Sequence, residues 1–336
     1  MGQRANGITP HERTWRYWKT SALLAALGIS ALAPLFASDF QLFRLTNILI
    51  YAIALLGLNI LVGFNGQISL GHGAFYAIGA YTTAILVVHF DLAHWVTLPI
   101  AGAICLIVGF VVGLPVLRLG PMHLAMATFA VGAVLPTLAK SKGIDQWTGG
   151  GQGMGIDVPA VPFGLPLSFD QWLYLLTLLT LTASFVAAAN LLRGRIGRAT
   201  VAIRDHPIAA QAMGVDVVLY KSTIFAISAM LAGIAGALAA LSVRYVGPGM
   251  FGVFLSFGFL IGIAVGGIGT LSGAIYGAIF LQFIFVVVGT TARALQTWNI
   301  LLIYGLLLIL FLCFNPHGVA GLIDRARAWL RRRAGA

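Results

Sequence analysis

Ten apolar stretches dominate the chain, near residues 20–37, 42–63, 73–90, 95–117, 121–139, 171–192, 220–242, 254–268, 270–289 and 298–315. A helix crosses a bilayer with about 20 apolar residues, and hydrocarbon accepts only structures that satisfy their own backbone hydrogen bonds. The expected fold is therefore an all-α polytopic membrane protein of about ten transmembrane helices, some of them short or interrupted by glycine. Hydrophobic residues make up 60% of the 336 and charged residues 9%, against about 25% charged in soluble domains. That composition excludes an ordinary water-soluble enzyme and leaves no room for a second folded domain.

The first run follows Arg13, Trp15, Arg16, Tyr17, Trp18 and Lys19 and ends in Ala31-Leu32-Ala33, the pattern of a cleavable leader. Pro34 directly after it disfavours cleavage, and the aromatic flank suits an interfacial anchor, so an uncleaved first span is expected.

Charge then sets the orientation. With ten spans and the N-terminus inside, 15 of the 20 Lys and Arg residues fall on the cytoplasmic side. Arg44, Lys140, Lys142, Arg244 and Arg293 fall outside, as the positive-inside rule requires. The same rule favours two short spans meeting at Gly266-Gly267-Ile268-Gly269 over one long helix, which would strand the basic tail Arg325 to Arg333 outside. The formal net charge of +11 is thus an orientation signal and calls for no nucleic acid partner.

All nine acidic residues, Glu12, Asp39, Asp91, Asp145, Asp157, Asp170, Asp205, Asp216 and Asp324, fall in termini, in loops or beside span ends. Carriers coupled to protons or cations commonly place such groups inside the membrane. Enzyme signatures are missing too. The stretch 149–155 is glycine-rich but lacks the Lys-Ser/Thr of a phosphate loop, and reads as a mobile or substrate-side loop. The seven histidines lack metal-ligand spacing, and Cys105 and Cys313 sit in apolar runs as packing residues. The chain is expected to hold no metal, no catalytic residue and no cofactor of its own.

Two polar features stand apart. Residues 63–75, Gly-Phe-Asn-Gly-Gln-Ile-Ser-Leu-Gly-His-Gly-Ala-Phe, carry four glycines and four side chains able to hydrogen-bond, between strongly apolar spans. Such a stretch either lines a pathway or forms a tight cytoplasmic turn, because small residues also serve close helix packing. Asn65, Gln67, Ser69 and His72, with Thr128 from a later run, are the pathway candidates. A partial echo follows: Val62-Gly63, Gly66, Ser69, Gly73-Ala74 and Tyr76 reappear as Val265-Gly266, Gly269, Ser272, Gly273-Ala274 and Tyr276, with a three-residue slip. The second feature is the cytoplasmic segment 193–219. Within it Asp205 can cap, Pro207 suits a first turn and Gly214 can terminate, predicting a helix of about two turns that is too short to stand without docking.

Residues 57–81, Ile196-Gly197-Arg198-Ala199, Ala209-Ala210 with 212–215, 232–238, 265–274 and Phe314-Asn315-Pro316-His317-Gly318 closely resemble the LivM-type permeases of branched-chain amino acid ABC importers. The likeness runs in family order over roughly residues 45–320. It implies a permease domain over 20–315 with a coupling loop at 193–219, between a cytoplasmic segment 1–19 and a basic cytoplasmic tail 316–336. It also implies a bacterial inner-membrane subunit paired with a LivH-type permease, two cytoplasmic ATPases that carry the ATP, and a periplasmic solute-binding protein. Membrane lipid surrounds the whole. Arg198, Arg204, Asp205, Ala209, Ala210 and Gly214 are then the ATPase-coupling candidates, although Ile208 stands where the motif has Glu. After the segment 124–132, Ala133 stands where the resemblance leads one to expect an acidic residue, which puts the typical substrate choice in doubt. Relatives of this type carry branched-chain amino acids, amides, urea or aromatic acids. A stand-alone secondary carrier or channel is the alternative function.

Overall fold

The computed structural model describes residues 30, 32, 34, 36–118, 121–158, 161–162, 166–292, 318–323 and 325. Most of the first expected span, all of the last, the N-terminal segment and most of the basic tail lie outside the described residues.

The described chain is helical apart from one pair of two-residue strands. Helix α1 (Asp39–Asn59) runs into a π-helical turn at Ile60–Phe64. It is followed by α2 (His72–Phe90), α3 (His94–Arg118), α4 (Pro121–Leu138), the short α5 (Asp145–Thr148) and strand β1 (Met154–Gly155). Then come α6 (Phe169–Arg193), α7 (Arg195–Asp205), α8 (Pro207–Ala212), α9 (Val217–Val243), strand β2 (Tyr245–Val246), a 3₁₀ turn at Pro248–Phe251, α10 (Val253–Gly266) and α11 (Gly273–Ala292).

Apolar helices coincide with the second to ninth runs of the sequence. Five are long and apolar enough to cross a membrane: Asp39–Phe64, His72–Phe90, His94–Leu117, Phe169–Arg193 and Val217–Val243. The apolar parts of α4, α10 and α11 are shorter; at 1.5 Å per residue, the 14 residues of α10 reach only about 21 Å. The break foreseen at the glycines is present: α10 stops at Gly266, and Gly267 and Gly269 take φ of 122° and 78°, which side chains with a β-carbon resist.

Helix α9 is the axis of the packing and lies against α3, α2 and α1. Its closeness to its neighbours depends on missing side chains, the usual device where apolar burial alone cannot drive helices together. A β-carbon on Gly79 of α2 would overlap the Gly233 carbonyl, one on Gly236 would overlap the Tyr76 carbonyl, and one on Gly233 would meet Cys105 Sγ. Cys105 is fully buried there, with its thiol 3.4 Å from the Phe75 carbonyl oxygen, which is the packing role expected of it. The Phe75 and Phe225 rings meet edge to face in the same layer.

The two ends of the bundle differ. At one end the 149–155 loop is tied to the chain that follows α9. Met154 and Gly155 pair antiparallel with Val246 and Tyr245, and the Tyr245 hydroxyl donates to the Gln152 carbonyl at 2.6 Å. Nearby Arg244 ends α9 and donates to Asp170 at the start of α6, 2.7 Å away. At the other end gather the π turn, residues 65–71, the 267–272 turn and helices α7 and α8. Every acidic residue that the structure describes sits at a helix end or in a loop; Asp216, for example, caps α9 by accepting from the Leu219 amide.

Candidate functional site

The π turn at Ile60–Phe64 releases the chain into a non-helical strap, residues 65–71, that returns to the membrane at α2. π turns inside α-helices recur at functional sites. Side chains alternate along the strap: Asn65, Gln67, Ser69 and Gly71 are buried, while Gly66 and Ile68 are exposed.

Asn65, Gln67, Ser69, His72 and Thr128 are all at most 2% exposed. The structure therefore places the five pathway candidates inside the chain, not on an outer surface. Thr128, in α4, joins the strap directly: its hydroxyl accepts from the Leu70 amide at 3.1 Å and donates to the Leu124 carbonyl at 2.8 Å. Gly71 lies flush against the Thr128 carbonyl, where a β-carbon could not fit. His72 opens α2. The Ser228 hydroxyl donates to the Gly57 carbonyl at 2.7 Å, so its oxygen can only accept from His72 Nε2, 3.4 Å away. The imidazole proton is thereby assigned to Nε2.

Both amide atoms of Asn65, both of Gln67, Ser69 Oγ and His72 Nδ1 have no hydrogen-bond partner among the described residues. A buried polar atom left unpaired costs about 1–3 kcal/mol, and such atoms are normally paired by ordered water or by a solute. The set offers donors and acceptors from two amides, a hydroxyl and an imidazole, with no carboxylate, lysine or arginine among them.

Two clamps that sequence reasoning missed hold the strap in place. The Ser256 hydroxyl of α10 accepts from the Gly73 amide at 2.9 Å, satisfying one of the orphan donors at the start of α2. Asn59, fully buried, donates to the Thr270 carbonyl at 2.7 Å and accepts from the Gly269 amide at 2.8 Å. The two echoed segments consequently touch: Gly63 packs against Gly269 with no room for a β-carbon. Asn59→Ala leaves the Thr270 carbonyl and the Gly269 amide unpaired. We expect it to cost about 2–4 kcal/mol, read as a lowered melting temperature of the detergent-solubilised protein, whereas a melting temperature equal to wild type would remove Asn59 from this role.

The coupling loop differs from expectation in detail. Asp205 does not cap the short helix; it ends α7 and pairs with Arg204 at 3.0 Å on the surface. His206 breaks the chain, Pro207 opens α8, and the helix runs to Ala212, close to the length expected, with Gly214 at φ 83° just beyond it. There the Val215 amide donates to the Ala210 carbonyl and the Gly214 amide to the Gln211 carbonyl, a complete Schellman stop. Ala210 packs inward at 5% exposure, while Ala209 faces out and Ile208 and Met213 are 84% and 85% exposed. Among the described residues Arg198 donates locally, to the Arg193 carbonyl at 3.2 Å. Helix α7 itself went unforeseen, although Ile196, Thr200 and Ile203 carry the spacing of one helical face.

The family model for the branched-chain amino acid transport system permease component matches residues 41–312. The chain belongs to this permease family. It is 34% identical over 337 residues to the high-affinity branched-chain amino acid transport system permease protein LivM of Salmonella typhimurium, covering 93% of this chain and 77% of the relative. Against the LivM protein of Escherichia coli K12 the identity is 34% over 343 residues, covering 95% and 78%. No solved structure is significantly similar to this chain. Within the family match lie the π turn, the strap, the 267–272 turn and helices α7 and α8.

Proposed function

We propose that this family member is one permease subunit of an ATP-binding cassette importer for branched-chain amino acids or related small polar organic solutes. A LivH-type permease completes the translocation path, two cytoplasmic ATPases supply the ATP, and a periplasmic solute-binding protein delivers the solute. The strap end faces the cytoplasm, where the coupling loop 193–219 meets the ATPases and both chain termini lie.

The observation that carries the reading is the pair Ile208 and Met213. Two large apolar side chains more than four-fifths exposed, on a one-and-a-half-turn helix closed by a glycine stop, form a small rigid knob outside the bundle. Apolar anchors of this kind supply much of the energy of a protein interface. Closure of the ATPases on ATP would push the knob, and the transporter would shift between its two states because ATP binds them unequally.

The strap supports the solute class. Its buried amide, hydroxyl and imidazole groups provide hydrogen bonds without fixed charge, matching a neutral or zwitterionic solute better than a metal cation. Affinity purification in mild detergent followed by mass spectrometry tests the assembly. Co-purifying ATPase and a second permease are expected; solute flux in ATP-free vesicles containing this chain alone would instead establish a secondary carrier or channel.

A further inference from the structure

The coupling helix and the strap are joined by one side chain. At the C-terminus of a helix the last carbonyls lose their intrahelical donors, and the π turn alters which of them are left over. The Gln67 amide donates to Leu61 and the Gly66 amide to Val62, so the Gly63 carbonyl is not used by the turn. Arg204, in the last turn of α7, fills that gap: its Nη1 donates to the Gly63 carbonyl at 2.9 Å. Nε of the same guanidinium holds Asp205 at 3.0 Å, which fixes the fork. The aliphatic stem lies over Gly66, where a β-carbon would sit 3.0 Å from Arg204 Cγ.

Gly63 is also the wedge between the two broken segments. It packs directly on Gly269 and on Asn59 Oδ1, and the Asn59 amide grips the 267–270 turn from the other side. A continuous contact therefore runs from α8 through α7 and Arg204 to Gly63, then through Asn59 to the 267–270 turn. Both glycine breaks are places where the backbone can change direction without disturbing a long helix.

We propose that Arg204 is the positioning residue that passes a displacement of the docking helix to both broken segments at once, so that ATPase closure moves the strap and the 267–270 turn together. The assignment rests on the importer reading above. Arg204 touches neither solute nor ATP; it acts through the Gly63 carbonyl.

The test uses the full complex in proteoliposomes with its binding protein, and measures radiolabelled leucine taken up per ATP hydrolysed. Failure of the wild-type complex to assemble or to couple would reject the importer reading itself and is scored first. In a coupled wild-type background, Arg204→Ala is expected to assemble and hydrolyse ATP while uptake per ATP falls about fivefold or more. Arg195→Ala removes the same charge from the exposed face of the same helix and is expected to keep the wild-type ratio. Arg204→Met keeps a stem over Gly66 but removes the donors, and is the variant to read if Arg204→Ala does not assemble; the same fall is expected. A wild-type ratio in the Arg204 variants, or an equal fall in Arg195→Ala, overturns the proposal.

Discussion

Replacing Ile208 and Met213 together with aspartate releases the ATPase from the detergent-solubilised complex while leaving the bundle folded. Both side chains point away from the chain, at 84% and 85% exposure, so the fold loses nothing by their removal. An apolar anchor at an interface typically contributes about 2 kcal/mol or more, roughly thirty-fold in affinity for each. A buried carboxylate adds a desolvation cost on top of that loss. The measurement is retention of the ATPase on the affinity-tagged permease, read beside the melting temperature of the permease itself. A complex that stays intact in the double variant would show that α8 is not the docking element.

Gly79→Val and Gly236→Val act on the fold instead. Each puts a β-carbon onto a backbone carbonyl of the facing helix, Gly233 for the first and Tyr76 for the second, and backbone cannot swing aside as a side chain can. The helices α2 and α9 must separate along their length, forfeiting contacts around Phe75 and Phe225. A loss of about 3 kcal/mol is expected for each, which lowers the melting temperature by about 6–12 °C. Gly258→Ala is the contrast: nothing lies within 4 Å of its β-position, and the change gains helix propensity of about 1 kcal/mol. Equal melting temperatures for Gly79→Val and Gly258→Ala would refute the close-packed α2 and α9 pair.

Apolar run length and charge balance made the helical bundle legible in sequence, since both are read by simple counting. The break at Gly266 to Gly269 was legible for the same kind of reason: three glycines in four residues weaken any helix locally. Helix α7 was hidden behind its charges. Arg195, Arg198 and Arg204 dominate the reading of that segment, and the inward face of Ile196, Thr200 and Ile203 appears only when the helical period is traced. The clamps Asn59 and Ser256 were not legible at all. A single polar residue in an apolar run looks the same whether it bonds its own preceding turn, as Thr46 and Thr177 do to Leu42 and Leu173, or reaches another helix as Asn59 does.

The candidate site shows a similar division. Sequence named Asn65, Gln67, Ser69, His72 and Thr128 by residue type and by the glycines around them. It could not say that alternate residues of the strap turn inward, because that arrangement is set by distant partners, Thr128 for Leu70 and Ser256 for Gly73. Nor could it place Arg204 on Gly63, 141 residues earlier in the chain.

The most direct test of the importer account is leucine uptake by the reconstituted complex of this chain, its partner permease, the ATPases and the binding protein. The account predicts uptake that requires both ATP and the binding protein and ceases when this chain is omitted. Uptake by this chain alone, without ATP, would contradict it.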